Sequence, residues 1–497
     1  MSCAIDYYTL NIILTPSSAV QKQPTGLLFA KLFLIFSNSL LYLSTGIGVL
    51  VLPKSSGILK FITKSVGAMS DVYSSSKKRT LSNPLRLPVE IFDEVLLRLP
   101  SKSVGRCSAV CKSWNSLVNT FFRYHTRDHT RYQSYNHHDE AQLLFLQFHN
   151  SSRIINRGPY ALHRDNSACN LYTKLPNPFV ACNKLPTCLR GAKQVEDVTV
   201  VGTCNGLVCL VAGDDEIHFA ASLWNPCIRK LVALPKPGLA VYKDIDQVRY
   251  GFGYDSCTDD YKVLRCVNHK YIRHSTCQVE IWSLARGSWK SLSSAADHVI
   301  LPANFHPGQL FNRSGVVFVN GALHWLQLAR NWKVNKMDNL VASFDMASEL
   351  FGETTVPEAL RKKLYSKPGR REWFISRYRE SIALVKICKD RDRWIGCHVE
   401  IWVMAEYGVA ASWVNLCTVQ LQDVWLMPLI YKDCGPIGFR TSGEVVLVGG
   451  NGRSMLLDPE SEQVSEFEID ESNNHLKFMD YFVESLVLFD QPNAISY

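Results

Sequence analysis

The sequence predicts an α+β multidomain chain: a small all-α module near residue 100, followed by an all-β, propeller-like domain of about six blades. Three observations carry this. Residues 85–127 hold the densest helical periodicity in the chain. From Gln142 onward the pattern changes to short apolar or alternating runs separated by Gly, Asn, Asp and Pro. Within that second part a set of short motifs recurs in one order, at an interval of about 120 residues.

Length and composition bound the problem. At 497 residues the chain has room for two to four domains, and a hydrophobic share of 46% is ordinary for a globular protein. The net charge of +9 is scattered among acids, with one tight run at Lys77-Lys78-Arg79. That run reads as a solvated linker, or alternatively as a nuclear-import patch. No helix-turn-helix, RNA-binding or zinc-ribbon pattern accompanies the basic residues, so nucleic acid is not an expected partner. Sixteen cysteines without a Cys-x-x-Cys pair read as reduced, buried thiols. Cytoplasm and/or nucleus is then the expected location, and the Asn-x-Ser sequons at Asn150 and Asn312 are coincidental.

Residues 1–84 form a hydrophobic N-terminal extension and a flexible lead. Leu32 to Leu52 is an uncharged run of 21 residues, long enough to span a bilayer. Three readings stand: a late-starting signal segment without a clear cleavage site, a membrane anchor, or a segment outside the working protein, with initiation at Met69. Ser70 to Pro84 is rich in Ser and Lys and reads as a flexible lead.

In the helical module, Pro88 suits a first helical turn, where its missing N–H costs nothing. Glu90, Asp93 and Glu94 place negative charge where the helix dipole favours it. Ile91, Phe92, Val95, Leu96 and Leu99 give a broad apolar face, and Pro100 stops the helix. Ser101 is the expected N-cap of a second helix, in which Cys107, Val110, Cys111, Trp114, Leu117, Val118 and Phe121 share a face. So small a unit rarely completes its own core. From pattern alone it is either a cap on a larger domain of the same chain or a docking module completed by another protein. Residues 131–141 are polar and read as a linker.

Three submotifs carry a resemblance: Leu87-Pro88-x-Glu90-Ile91, then Arg98-Leu99-Pro100-x-Lys102-Ser103, then Val110-Cys111-Lys112-Ser113-Trp114. In this order they closely resemble an F-box of the plant type, over residues 85–130. Two positions depart from the family pattern: Gly105 stands where a Leu is usual, and Cys107 where a large apolar residue is usual. The resemblance implies docking on a Skp-type adaptor, and through it on cullin and RING proteins. Leu87, Pro88, Ile91, Val95, Leu96, Leu99, Pro100, Val110, Cys111 and Trp114 would face the adaptor or support the docking face.

The β-rich part, residues 142–490, is expected to hold strands at Gln142–Phe148, Gly206–Val211, Tyr261–Val267 and Ala322–Leu326. Val279-Glu280-Ile281-Trp282, with Trp289 after it, recurs as Val399-Glu400-Ile401-Trp402, with Trp413 after it. Cys204-Asn205-Gly206-Leu207 has cousins at Val319-Asn320-Gly321-Ala322 and Thr441-Ser442-Gly443-Glu444. Trp224-Asn225-Pro226 resembles Phe344-Asp345-Met346 and Leu457-Asp458-Pro459. The long unit holds two sheet-sized blocks of about 60 residues, so about six blocks follow, as in a β-propeller. The Trp residues are expected to pack between neighbouring blades. Two unrelated β-sandwiches are the alternative. Gly251-Phe252-Gly253-Tyr254-Asp255, the Asn-Gly and Trp-Asn-Pro motifs and the closing Tyr481-Phe482-Val483-Glu484-Ser485-Leu486-Val487 resemble the F-box-associated, kelch-like domain of a large plant family. The resemblance implies that this domain holds a protein substrate, and that the chain is a non-catalytic specificity subunit of a ubiquitin ligase. Its alternative is a membrane-tethered binding protein that works without the ligase.

The remaining motifs read as structure. Cys107, Cys111, His125 and His129 nearly match a two-Cys, two-His zinc site, but a finger needs its cysteines on a hairpin and these sit on a predicted helix face. His137-His138 with Asp139-Glu140 read as linker. Val448-Gly449-Gly450-Asn451-Gly452 reads as a hairpin, and Asp214-Asp215-Glu216 and Asp259-Asp260 as surface turns. No catalytic constellation, metal site or cofactor is expected. Leu292–Ser314 and Val356–Tyr378 are the candidate substrate loops; Arg361, Lys362, Lys363, Arg370 and Arg371 in the second suggest an acidic partner, with a solvated face as the default reading.

Overall fold

The computed structural model describes residues 33–37, 40–45, 48–53, 93, 96–97, 99, 101–108, 115–121, 142–150, 160–182, 198–213, 219–239, 246–269, 277–292, 315–331, 336–356, 360, 371–389, 397–421, 435–448, 453–467, 469 and 474–497. They fall into two units. One comprises residues 1–136 together with Glu484–Gln491; the other comprises His137–Val483 together with Pro492–Tyr497.

Six antiparallel sheets make the second unit, and five of them take their strands in sequence order. Blade 1 holds Val198–Cys204, Leu207–Gly213, Phe219–Asn225 and Lys230–Ala233. Blade 2 holds Asp246–Asp255, Asp260–His269, Cys277–Ser283 and Ser288–Ser291. Blade 3 holds Val317–Val319, Ala322–Asn331, Lys336–Asp345 and Phe351–Thr355. Blade 4 holds Arg371–Tyr378, Ser381–Lys389, Cys397–Met404 and Trp413–Leu421. Blade 5 holds Gly435–Phe439, Val445–Val448, Ser454–Leu457 and Val464–Glu466. Blade 6 joins the two ends of the unit: Asn474–Phe482 pairs with Leu143–Asn150, which is followed by Tyr160–Arg164 and Leu171–Leu175. The first strands of the six blades neighbour one another in a closed ring. This is a six-bladed β-propeller, as the repeats predict, and not two sandwiches. Ile495–Ser496 adds a fifth strand outside Lys230–Ala233 of blade 1.

The expected two-blade period is visible in the strand positions. Blades 1, 3 and 5 begin at residues 198, 317 and 435, and they carry the Asn-Gly-like and Trp-Asn-Pro-like motifs. Blades 2 and 4 carry the two Val-Glu-Ile-Trp motifs on their third strands. Each motif has a local cause. Asn205-Gly206 and Asn320-Gly321 join first to second strands with φ of 47° and 79°, and of 49° and 78°. Two successive positive φ values match the right-handed twist of the flanking strands, and Asn and Gly tolerate them best. At the third-strand ends, Asn225 Oδ1 accepts the N–H of Cys227, Asp345 Oδ1 that of Ser348, and Asp458 Oδ1 that of Glu460. Each turn then closes through a left-handed residue, Arg229, Glu349 or Glu462.

The core lies between blades. Leu264, Cys266, Val279 and Ile281 of blade 2 pack on Leu323, Trp325, Ala342 and Phe344 of blade 3. A Cβ at Gly251 would come within 2.5 Å of Leu323, and one at Gly253 within 2.5 Å of Phe318, so both glycines let blade 3 approach the first strand of blade 2. Trp402 and Trp413 of blade 4 pack with Val319, Leu326 and Val341 of blade 3, which bears out the expected role for these tryptophans. Phe145, Tyr160, Trp224 and Phe482 cluster between blades 6 and 1, and the Tyr497 hydroxyl accepts the Trp224 indole N–H at 2.6 Å. Val448 pairs with Ser454 in an antiparallel pair, and 449–452, expected as a hairpin turn, lie outside the described residues.

Several expectations need correction. Asp260 is buried rather than at the surface; it accepts from Ser283 Oγ at 2.5 Å and from the N–H of Ala285 at 2.9 Å, bridging two strands. Only Asp259 of that pair lies in the exposed turn. The stretch Val356–Tyr378 is not one loop: Val356 and Leu360 are buried, and Arg371–Tyr378 is the first strand of blade 4. The described residues of the apolar run at 32–52 are not helical. It contains the strands Phe33–Ser37, Leu40–Thr45 and Gly48–Pro53, paired antiparallel in one sheet. No helix among the described residues is long and apolar enough to cross a membrane.

Candidate functional site

Two regions bear on function, and each is built from its own residues. In the helical region, Asp93, Leu96 and Leu97 are helical, Ser101–Ser108 forms a helix, and residues 115–121 form another. Leu96, Leu99, Val104, Cys107, Val118 and Phe121 are buried, so the predicted apolar faces exist. Of the expected docking residues, Leu96 and Leu99 are therefore inside the module. Leu87, Pro88, Ile91, Val95, Pro100, Val110, Cys111 and Trp114 lie outside the described residues, as do His125, His129, His137 and His138.

Three details depart from expectation. Leu117, placed on the buried face by its spacing, is 40% exposed, while Val118 and Phe121 point inward. Ser101 is the first helical residue rather than the cap, and its Oγ is buried without a partner among the described residues. Gly105 sits within the helix, where Ser108 Oγ donates to its carbonyl at 2.7 Å. Burial raises the Cys107 thiol to about 11. It is neutral at physiological pH and packs as a small core residue.

The second region is the propeller axis and the buried charges around it. Arg377, near the end of the first strand of blade 4, holds its guanidinium 5.4 Å from the ring centroid of Tyr481 on the first strand of blade 6. Blade 5 lies between blades 4 and 6 in the ring, so this contact joins two blades that are not neighbours. Its Nε donates to the Arg379 carbonyl at 2.9 Å and its Nη2 to Glu380 at 3.1 Å. Beside it, Asp480 is half-buried and accepts from Thr203 Oγ1 at 2.8 Å. Burial raises the Asp480 carboxyl above its ordinary value, and the Arg377 charge and the Thr203 bond only partly offset this.

Buried charge also fills the repeated motifs. Arg265 and Glu280 form an ion pair between the second and third strands of blade 2, and Glu280 also accepts the N–H groups of Gly238 and Leu239. In blade 4 the same two positions hold Lys386 and Glu400, 2.6 Å apart, with the ammonium 5.5 Å from the Trp373 ring centroid. Lys262 bridges Asp255 at 2.9 Å and Glu349 at 3.1 Å, and so links blade 2 to blade 3. Arg440 of blade 5 pairs with Asp165 of blade 6 at 2.7 Å. Neighbouring blades are thus joined by charge as well as by apolar packing. His324 is buried against Tyr407, 3.0 Å away, and burial holds its pKa down to about 4, so it is neutral in a cell. No group of His, Cys, Asp and Glu among the described residues has metal-holding geometry. The basic residues Arg361, Lys362, Lys363 and Arg370 of the second candidate substrate loop lie outside the described residues, as does 293–314.

Sequence reasoning did not find the Arg377–Tyr481 contact or the buried charge pairs. The signal was present in part, because Glu280 and Glu400 occupy the same place in a repeat, and a Glu retained among Val, Ile and Trp needs a partner.

Residues 161–489 match the model of the F-box associated beta propeller domain, and residues 84–126 match that of the F-box domain. The chain is 27% identical to an F-box/kelch-repeat protein of Arabidopsis thaliana over 362 residues, covering 71% of this chain and 85% of the relative. It is 26% identical to the F-box protein CPR1 of Arabidopsis thaliana over 427 residues, covering 81% and 89%.

Proposed function

Because the chain belongs to the F-box proteins that carry an F-box-associated β-propeller domain, we propose that it is the substrate-recognition subunit of an SCF-type cullin–RING ubiquitin ligase. The observation that carries this reading is the covalent order: an F-box match at 84–126, followed by a propeller match from 161 to 489. The F-box docks on a Skp-type adaptor, and the propeller holds a protein substrate whose lysines then meet ubiquitin charged on a conjugating enzyme. The work is positional. Tethering raises the effective concentration of substrate at a distant reaction centre, and the subunit itself supplies no catalytic group.

Leu87, Pro88, Ile91, Val95, Pro100, Val110, Cys111 and Trp114 form or support the docking face in this reading. Leu96 and Leu99, being buried, hold the helices in place. Trp114→Ala removes a large aromatic from that face and should cost about 3 kcal/mol or more. Affinity purification of the full chain with mass spectrometry, with and without proteasome inhibition, tests the proposal. Recovery of a Skp-type adaptor and cullin is expected, with substrates enriched on inhibition. Recovery of neither adaptor nor cullin, or unaltered recovery with Trp114→Ala, would overturn the docking assignment.

A further inference from the structure

The chain passes between its two units more than once. Asn474–Phe482 is the first strand of blade 6, and Pro492–Tyr497 returns to the propeller, yet the intervening Glu484–Gln491 belongs to the compact unit of the helices. Inside that octapeptide Glu484, Ser485, Leu486 and Leu488 are buried, the two leucines to 1% exposure. The segment is a folded turn: the Phe489 N–H donates to the Leu486 carbonyl at 3.0 Å and the Gln491 N–H to that of Leu488 at 3.4 Å. Leu488 has φ of +75°, a left-handed conformation that a bulky residue adopts only when its surroundings impose it. Glu484, Ser485, Val487 and Phe489 each have further bonded, ring or electrostatic partners.

A two-helix unit is short of core, and Glu484–Gln491 groups with the residues that contain it. From this arrangement we infer that Glu484–Gln491 is a structural part of the adaptor-docking module: an internal latch whose Leu486 and Leu488 complete its core and so hold the docking face in shape. The octapeptide touches no partner in this scheme and acts through the helices. Its functional half rests on the adaptor docking proposed above.

The test uses the full chain with Leu486→Ala, Leu488→Ala, Leu488→Gly and the conservative Leu486→Met, and reads two quantities. Amide exchange over 101–108 and 115–121 should quicken by about tenfold or more in both alanine variants, with exchange in blades 2–5 unchanged. Affinity for a purified Skp-type adaptor should fall by a similar factor, and Leu486→Met should restore both. Leu488→Gly relieves the backbone conformation but removes the side chain, so it should behave like Leu488→Ala. Unchanged exchange in the helices of the alanine variants overturns the latch, whatever the adaptor does. Faster exchange with undiminished adaptor binding overturns its role in docking. If the unaltered chain fails to bind the adaptor while the helices still respond to Leu486→Ala, the proposed function falls and the latch stands.

Discussion

Blades 2 and 4 carry the same Val-Glu-Ile-Trp motif on the same strand, yet the glutamate is held differently in each. In blade 2, Glu280 pairs with Arg265 and also caps two backbone N–H groups at Gly238 and Leu239. In blade 4, Glu400 pairs with Lys386, whose ammonium lies beside an indole ring, and His398 is 3.6 Å away. The difference teaches what the repeat preserves. It preserves a carboxylate facing a cation across one strand pair, and leaves the neighbours free to vary.

The largest expected effect separates these two sites. Glu280→Ala leaves a buried guanidinium without its carboxylate and two backbone N–H groups without their acceptor, and should cost about 3–5 kcal/mol. Glu400→Ala should cost less, about 2 kcal/mol, because its partner is a flexible lysine rather than a planar guanidinium. Urea unfolding of both variants checks the order; equal losses would mean that the backbone contacts of Glu280 add nothing.

Next in size are the turn residues of the odd blades. Asn225 is fully buried and Asp345 is not, although both accept backbone N–H groups in equivalent turns. Asn225→Ala should cost about 2 kcal/mol and Asp345→Ala about 1 kcal/mol, read as shifts in denaturation midpoint. Smaller still are Gly206→Ala and Gly321→Ala. A Cβ at Gly321 meets nothing within 4 Å, so its φ of +78° alone sets the loss, about 1 kcal/mol. If Gly206→Ala costs clearly more, the two turns are not equivalent.

The final comparison is between two carboxylates with opposite pH behaviour. Burial alone would raise Asp255, but hydrogen bonds from Thr258, Lys262 and two backbone N–H groups outweigh it and hold the folded value down. Its contribution is therefore present above the unfolded value and is lost as pH falls through the lowered folded one. Asp480 is raised by burial, so its favourable contribution is present below the unfolded value and is lost as pH rises through the folded one. Asp255→Asn should lower the thermal midpoint at neutral pH, with the deficit shrinking on acidification. Asp480→Asn should raise it at neutral pH, with the gain vanishing near the ordinary carboxylate value of 3.8. Melting curves across pH 3 to 8 decide; parallel pH profiles for the two variants would refute the assignment.

Much of the propeller was legible from residues. Alternation marked the strands, and the interleaved motifs marked a two-blade period, because each motif is caused locally, by a left-handed turn pair or a side chain capping a turn. What was not legible depends on which surface meets which. Asp259-Asp260 looks like a turn in sequence, but Ser283, on another strand, turns Asp260 inward. Leu117 obeys helical spacing and is exposed all the same. The octapeptide after Val483 has no periodicity to reveal that it folds away from the strand preceding it. Of the ten expected docking residues only Leu96 and Leu99 are described, and they proved to be interior.

Blade 6 takes its first strand from residues 474–482 and its other three from 143–175. A nascent chain leaves the ribosome N-terminus first, so Leu143–Asn150 must wait with an open edge while five complete blades are made. The partner it waits for follows all five of them in the chain. Until then the bare edge is a template for wrong pairing, with other chains included. A message truncated before codon 474 would therefore yield five intact sheets and an arc that never closes, a product whose fate is aggregation or disposal rather than partial activity.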